Sequence, residues 1–132
     1  LGLAATTGRS TLRVRSRPTV VALTTGDEVV PIDATPAPHQ IRNGNGPMLQ
    51  ALVERMGGEF LEHHHLLDAP QAVHDALDHA LRIADVVVTV GGISAGDRDF
   101  IPAQLDALSI EPLLHGAAIQ PGKPVRIGRS AS

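Results

Sequence analysis

Two polar turns carry most of the chemistry this chain could perform. GGISAGDRDF, residues 91–100, follows the apolar run VVVTV, and TTGDE, residues 24–28, closes the apolar run TVVAL. A strand that needs only burial can end in any turn, whereas these end in small residues that admit a ligand and in carboxylates that suit a cation. Backbone N–H groups freed by Gly26, Gly91, Gly92 and Gly96, added to the positive end of a following helix, make a cradle for a phosphate or oxyanion. Thr25 and Ser94 add hydroxyl donors. Glu28, Asp97 and Asp99 would repel a bare phosphate. Mg²⁺ resolves that conflict, because it binds one or two carboxylates together with substrate phosphate oxygens. Lys123, in PGKP at 121–124, supplies a compact positive charge whose backbone Pro121 and Pro124 stiffen.

Each residue also has a plain structural reading. A glycine-rich turn without fixed spacing is weak on its own. Asp99 and Asp68 can cap helices, and Glu28 can be a solvated loop residue. What favours a site is convergence of carboxylates, hydroxyls and glycines from separate loops. HHH, residues 63–65, puts His63 and His65 on one face of a strand. With no third ligand placed, the reading is solvated or edge-strand histidines rather than a transition-metal site. His74 and His79 fall outside the apolar stripe of their helix and read as surface positions. Arg9, Arg13, Arg15 and Arg17 read as a solvated edge.

The elements that must position these residues alternate between strand and helix patterns. TVVAL at 19–23 reads as a buried strand, and VVPIDATPAPHQIRNGNG as a long irregular loop. PMLQALVERMGG carries Met48, Leu49, Leu52, Val53 and Met56 at helical spacing, with Pro47 near its start and Gly57 at its exit. EFLEHHHLL reads as a strand. The next helix buries Val73, Ala76, Leu77, Ala80, Leu81 and Ala84 on one face. DVVVTV is apolar on both faces, which predicts a central parallel strand. A helix through Ile101, Leu105 and Leu108 follows, then a weaker strand IEPLLH and the segment AAIQPGKPVRIG.

This order predicts an α/β fold, a three-layer α/β/α sandwich with a mostly parallel sheet. Ligands of such sheets bind outside the carboxyl ends of the strands, so TTGDE and GGISAGDRD should share one rim. Residues 1–18 read as a linker or edge strand, and 19–132 as the domain.

At 132 residues the chain fits one domain. Having neither Trp nor Tyr, only two Phe and a net charge of −3, it lacks stacking platforms and a basic footprint, which argues against nucleic acid. No run of about 20 apolar residues exists to span a membrane. The absence of Cys is compatible with a reducing compartment, and the default expectation is cytoplasmic. Without an initiating Met, the chain reads as a fragment or processed form.

The segments RPTVVALTTGDEVV, HQIRNGNGPMLQALVERMGGEF, LLDAPQAVHDAL with DVVVTVGGISAGDRDF, and AAIQPGKPVRIG together resemble the molybdopterin-binding domain of the molybdopterin molybdenumtransferases. The resemblance spans nearly the whole chain after residue 12. It implies binding of adenylylated molybdopterin, use of Mg²⁺, hydrolysis of the adenylate with release of AMP, and insertion of molybdate. It also implies catalytic roles for Glu28, Asp68 and Asp99, metal ligation by Glu28, Asp97 and Asp99, and ligand binding through Thr25, Gly26, Asp27, Gly91, Gly92, Ser94, Gly96 and Lys123. Two departures stand out. Gln120 precedes PGKP where a lysine is usual, and Asn43 replaces a usual aspartate.

The resemblance further implies a homodimer, other cofactor-biosynthesis proteins as partners, and accessory domains that complete the active site. It implies too that 19–132 is the domain truncated at its C-terminal end, stopping before the family's next glycine-proline loop, so that a chain of this extent is expected to bind ligand but not to turn over well. Molybdopterin adenylyltransferase activity is the alternative within the same fold. A non-catalytic interaction module, using the loop from Val29 to Gly46, is the alternative outside enzymes.

Overall fold

A computed structural model describes residues 1–92 and 100–131. Strand β1 (Thr19–Thr25), strand β4 (Glu59–Leu66) and strand β5 (Val86–Val90) form a parallel sheet in the order β4-β1-β5. The expected strand DVVVTV forms, but the central place belongs to β1. Residues Val20–Thr25 are all buried, whereas β5 is at most half-buried and, among the described residues, pairs only with β1. A continuous apolar run reports cover on both faces, not neighbours on both edges.

Helix α2 (Asn45–Arg55) connects β1 to β4, and helix α3 (Pro70–Ile83) connects β4 to β5. These two crossovers run in opposite directions along the sheet, so right-handed connections place the helices on opposite faces. Alternation along β1 sends Val21 and Leu23 to the α3 face, and Ala22 and Thr24 to the α2 face. On the α3 face, Val21 and Leu23 pack with Val73, Leu77 and Ala80 and with Ile101 of helix α4 (Ile101–Ala107). Leu23 and Ile101 are fully buried, each contributing about 1.5–3 kcal/mol of transfer free energy. The α/β/α layering expected from the sequence is therefore present.

Helix starts differ from expectation in detail. Asn45, rather than Pro47, begins α2, and Asn43 Oδ1 accepts the Gly46 N–H at 3.2 Å. Asp68 does not cap α3. Its N-cap is Ala69, without a side-chain bond, and Pro70 takes a first-turn position where no N–H is needed.

At the amino ends of the sheet, Asp85 Oδ2 accepts the Thr19 N–H (2.8 Å) and hydroxyl (2.9 Å), and the Asp85 N–H donates back to Thr19 Oγ1 (2.9 Å). This clasp pins β1 against the start of β5.

Helix α1 (Gly2–Thr6) precedes an exposed irregular stretch, so no edge strand forms over residues 1–18. Within the loop after β1, strand β2 (Val29–Val30) pairs briefly with strand β3 (Ile41–Arg42). Strands β6 (Glu111–His115) and β7 (Arg126–Arg129) form an antiparallel pair outside the parallel sheet. Among the described residues, no helix is long and apolar enough to cross a membrane.

Candidate functional site

The carboxyl ends of β1 and β5 meet at the point where strand connectivity reverses, the usual crevice for a ligand in a doubly wound sheet. Gly91 makes that meeting possible. With φ at +97°, a Cβ on this residue would lie 2.6 Å from Thr25 Oγ1 and 2.8 Å from the Thr25 carbonyl oxygen. Gly92 is similarly close, its Cβ position 3.1 Å from Thr25 Oγ1. A side chain at 91 would fill the space between the two strand ends.

Across the crevice, the Glu28 carboxylate folds over Gly26. Its oxygens lie 2.8 and 2.9 Å from where a Gly26 Cβ would stand, and Gly26 has φ +137°. Gly26 N–H donates to Leu66 O, joining the ends of β1 and β4. Asp27 Oδ1 accepts the Asp68 N–H at 3.1 Å, which brings Asp27 and Asp68 to the same rim.

Thr25, Gly26, Asp27, Glu28, Asp68, Gly91 and Gly92 are thus gathered as the sequence reading requires. Ser94, Gly96, Asp97 and Asp99 lie outside the described residues. Lys123 sits in the loop between β6 and β7, exposed, its carbonyl accepting the Ala117 and Val125 N–H groups. No described hydrogen bond or ion pair joins Lys123 to the rim.

Asp27, Glu28 and Asp68 bring hard oxygen donors to this rim, a chemistry that suits Mg²⁺ and not a soft metal, although among the described residues the three do not converge as one cluster of ligand atoms. The Gly91 and Gly92 N–H groups and the Thr25 hydroxyl suit phosphate oxygens, whereas the Gly26 N–H, expected to be free, is taken by the Leu66 carbonyl.

A second feature lies on the α2 side and is not evident from sequence. Buried Thr24 gathers three polar partners around Oγ1: Asn43 Nδ2 (2.9 Å), His63 Nε2 (3.0 Å) and His65 Nδ1 (3.1 Å). Asn43 Nδ2 also approaches His63 Nε2 at 3.5 Å, which favours that nitrogen as an acceptor. On this assignment Asn43 and His65 donate to Thr24, and the Thr24 hydroxyl donates to His63. Burial, followed by the neighbouring charges of His65 and His64, lowers the His63 pKa and keeps the ring neutral. His65 Nε2 is left buried without a partner among the described residues.

Beside this network is a cavity of about 350 Å³ lined by Pro31, Ile32, Asn43, Pro47, His63 and His65. Its largely apolar walls suit a small, flat group. His63 and His65 share a strand face as expected. What the sequence did not disclose is that a threonine and an asparagine from distant segments engage them.

Comparisons with known proteins bear on the family and the fold. The family described as "Probable molybdopterin binding domain" matches residues 21–132. Molybdopterin molybdenumtransferases of Staphylococcus aureus and Staphylococcus epidermidis are each 32% identical, over 122 and 126 residues, covering 92% of this chain. The chain spans only 29% of the length of these relatives. Among solved structures, a molybdopterin biosynthesis MoeA protein of Pyrococcus horikoshii superposes with a TM-score of 0.77 at 32% identity, covering 96% of this chain and 31% of that one. A molybdenum cofactor biosynthesis protein of Pyrococcus furiosus gives a TM-score of 0.62 at 26% identity, covering 96% of this chain and 35% of that one.

Proposed function

The chain belongs to the molybdopterin-binding domain family, and we propose that it binds adenylylated molybdopterin at the rim where β1 and β5 end. The observation that carries this reading is the close approach of Gly91 to Thr25 at the strand switch point, with Glu28 held over Gly26 beside it. The Gly91 and Gly92 N–H groups and the Thr25 hydroxyl serve as donors to phosphate oxygens. Glu28, Asp97 and Asp99 are the residues that would hold Mg²⁺, which would supply charge neutralisation at the phosphoanhydride when bound. Glu28, Asp68 and Asp99 orient water toward that bond. Lys123 adds attraction for phosphate or for molybdate, the oxyanion substrate.

In a complete protein the same site inserts molybdate into the dithiolene and releases AMP, completing a step of molybdenum cofactor biosynthesis. A cytoplasmic location, and assembly as a homodimer or with other cofactor-biosynthesis proteins, belong to the same proposal.

The test is a calorimetric titration of adenylylated molybdopterin into the chain, with and without Mg²⁺, repeated with Glu28→Gln and Asp99→Asn. Binding should require Mg²⁺ and weaken at least about tenfold in each variant, the loss of one charged contact. Binding indifferent to Mg²⁺ and to both substitutions would overturn the reading.

A further inference from the structure

The histidine run of β4 divides across the sheet. Register pairs Ala22 with His63 and Thr24 with His65, and these two histidines serve the Thr24 network on the α2 side. Val21 pairs with Glu62 and Leu23 with His64, so Glu62 and His64 point toward α3. His79 of α3 reaches the same place. Glu62 Oε2 lies 2.8 Å from His64 Nε2 and 3.4 Å from His79 Nε2. One ligand atom from each of the three residues falls within 4.8 Å of the other two. We propose that Glu62, His64 and His79 form a binding site for a divalent transition metal, Zn²⁺ above all, that ties β4 to α3.

Ligand type and spacing both support the assignment. Two imidazoles and one carboxylate are a zinc-type donor set, distinct from the all-oxygen rim that suits Mg²⁺. Zinc bonds to nitrogen and oxygen of about 2.0–2.2 Å in a tetrahedron hold donor atoms roughly 3.2–3.6 Å apart. The two distances to Glu62, 2.8 and 3.4 Å, need adjustments of about half an ångström or less, and the two imidazole nitrogens, within 4.8 Å of each other, close the remainder by side-chain rotation. The backbones beneath the ligands are already anchored. His79 precedes fully buried Ala80, and residues 62–66 of β4 are paired along β1.

All three side chains are part-exposed, between 40% and 55%, so a fourth coordination position faces solvent and takes water. Charged residues on an edge strand also deter sheet-to-sheet pairing. That role accounts for Glu62 and His64 on β4, but not for a second histidine from a helix converging on the same carboxylate oxygen.

The probe is Zn²⁺ alone, titrated by calorimetry into tag-free, chelator-treated chain at pH 7.5, with Mg²⁺ run in parallel. One Zn²⁺ should bind per chain and raise the thermal midpoint. His79→Ala and Glu62→Gln should each weaken binding at least about tenfold and abolish the midpoint rise. His115→Ala, an exposed histidine on β6, should leave both unchanged. His79 lies on the exposed side of α3, so its variant keeps the fold, which circular dichroism verifies. It decides the matter even if Glu62→Gln is destabilised. Co²⁺ substitution should give visible absorption bands that disappear in His79→Ala. No Zn²⁺ uptake, uptake untouched by His79→Ala, or an equal loss in His115→Ala would each overturn the site. None of these readouts depends on the nucleotide rim, so failure here and failure of the proposed function are distinguishable.

Discussion

Thr24 shows how one hydroxyl organises a neighbourhood. It has one proton to donate and two lone pairs to fill, and Asn43, His63 and His65 together use all three. Asn43 also accepts the Gly46 N–H in the first turn of α2, so Asn43→Ala removes that bond and a buried donor at once. The expected cost is about 1–3 kcal/mol in urea unfolding. A variant within a few tenths of wild type would show the network to be ornamental. Asp85 provides a different handle at the other end of the sheet. The Thr19 N–H, and then the Thr19 hydroxyl, lower its pKa. A depressed carboxyl contributes stability that is present above its unfolded pKa, near 3.8, and is lost as pH falls through the folded value. The thermal midpoint should therefore drop as pH falls below about 3.8 toward the lower folded value, and Asp85→Asn should show a smaller drop. Equal drops would remove Asp85 from the account of acid sensitivity.

Among elements, the strands and helices were legible where one period dominates. Val73, Leu77 and Ala80 mark α3, and TVVAL marks β1. The rim was legible too, because parallel strands must deliver their carboxyl ends to one side. Register was not. A one-residue shift between Val20 and Val21 against β4 decides that His64, not His63, faces α3, and periodicity in a single strand carries no signal for it. The separate β6–β7 pair was equally hidden, since IEPLLH and PVRIG show only weak strand character and say nothing of each other.

Element contact also sets the demand at Gly91. Gly91→Ala meets both a positive φ and the Thr25 carbonyl oxygen, at an expected cost of about 2–5 kcal/mol. Adding Thr25→Ala should recover only part of this in a double-mutant cycle, because the carbonyl remains. Full recovery would place the conflict in the hydroxyl alone.

The molecule as a whole divides into a well-buried sheet and a lightly attached hairpin. β1 is paired on both edges and buried from Val20 to Thr25, whereas every residue of β6 is exposed. The hairpin is tied to α4 through Arg126, whose guanidinium bonds Asp106 and the Pro102 carbonyl, and it packs Gly128 against the buried Ile110. Amides that depend on few buried contacts exchange through local opening, and those in the core only through global unfolding. In hydrogen exchange, β6 and β7 should lose protection long before β1, and Arg126→Ala should widen the gap. Protection in the hairpin equal to that in β1 would contradict this division.

The division bears on function because Lys123 rides on the hairpin, in a loop that no described hydrogen bond or ion pair joins to the rim. If Lys123 closes on a bound anion, adenylylated molybdopterin with Mg²⁺ should slow exchange across residues 116–125 in wild type and much less in Lys123→Ala. Slowing at the rim of β1 and β5 with no change across 116–125 would leave Lys123 outside the ligand site, and the negative rim would then depend on the cation alone for attraction of its ligand.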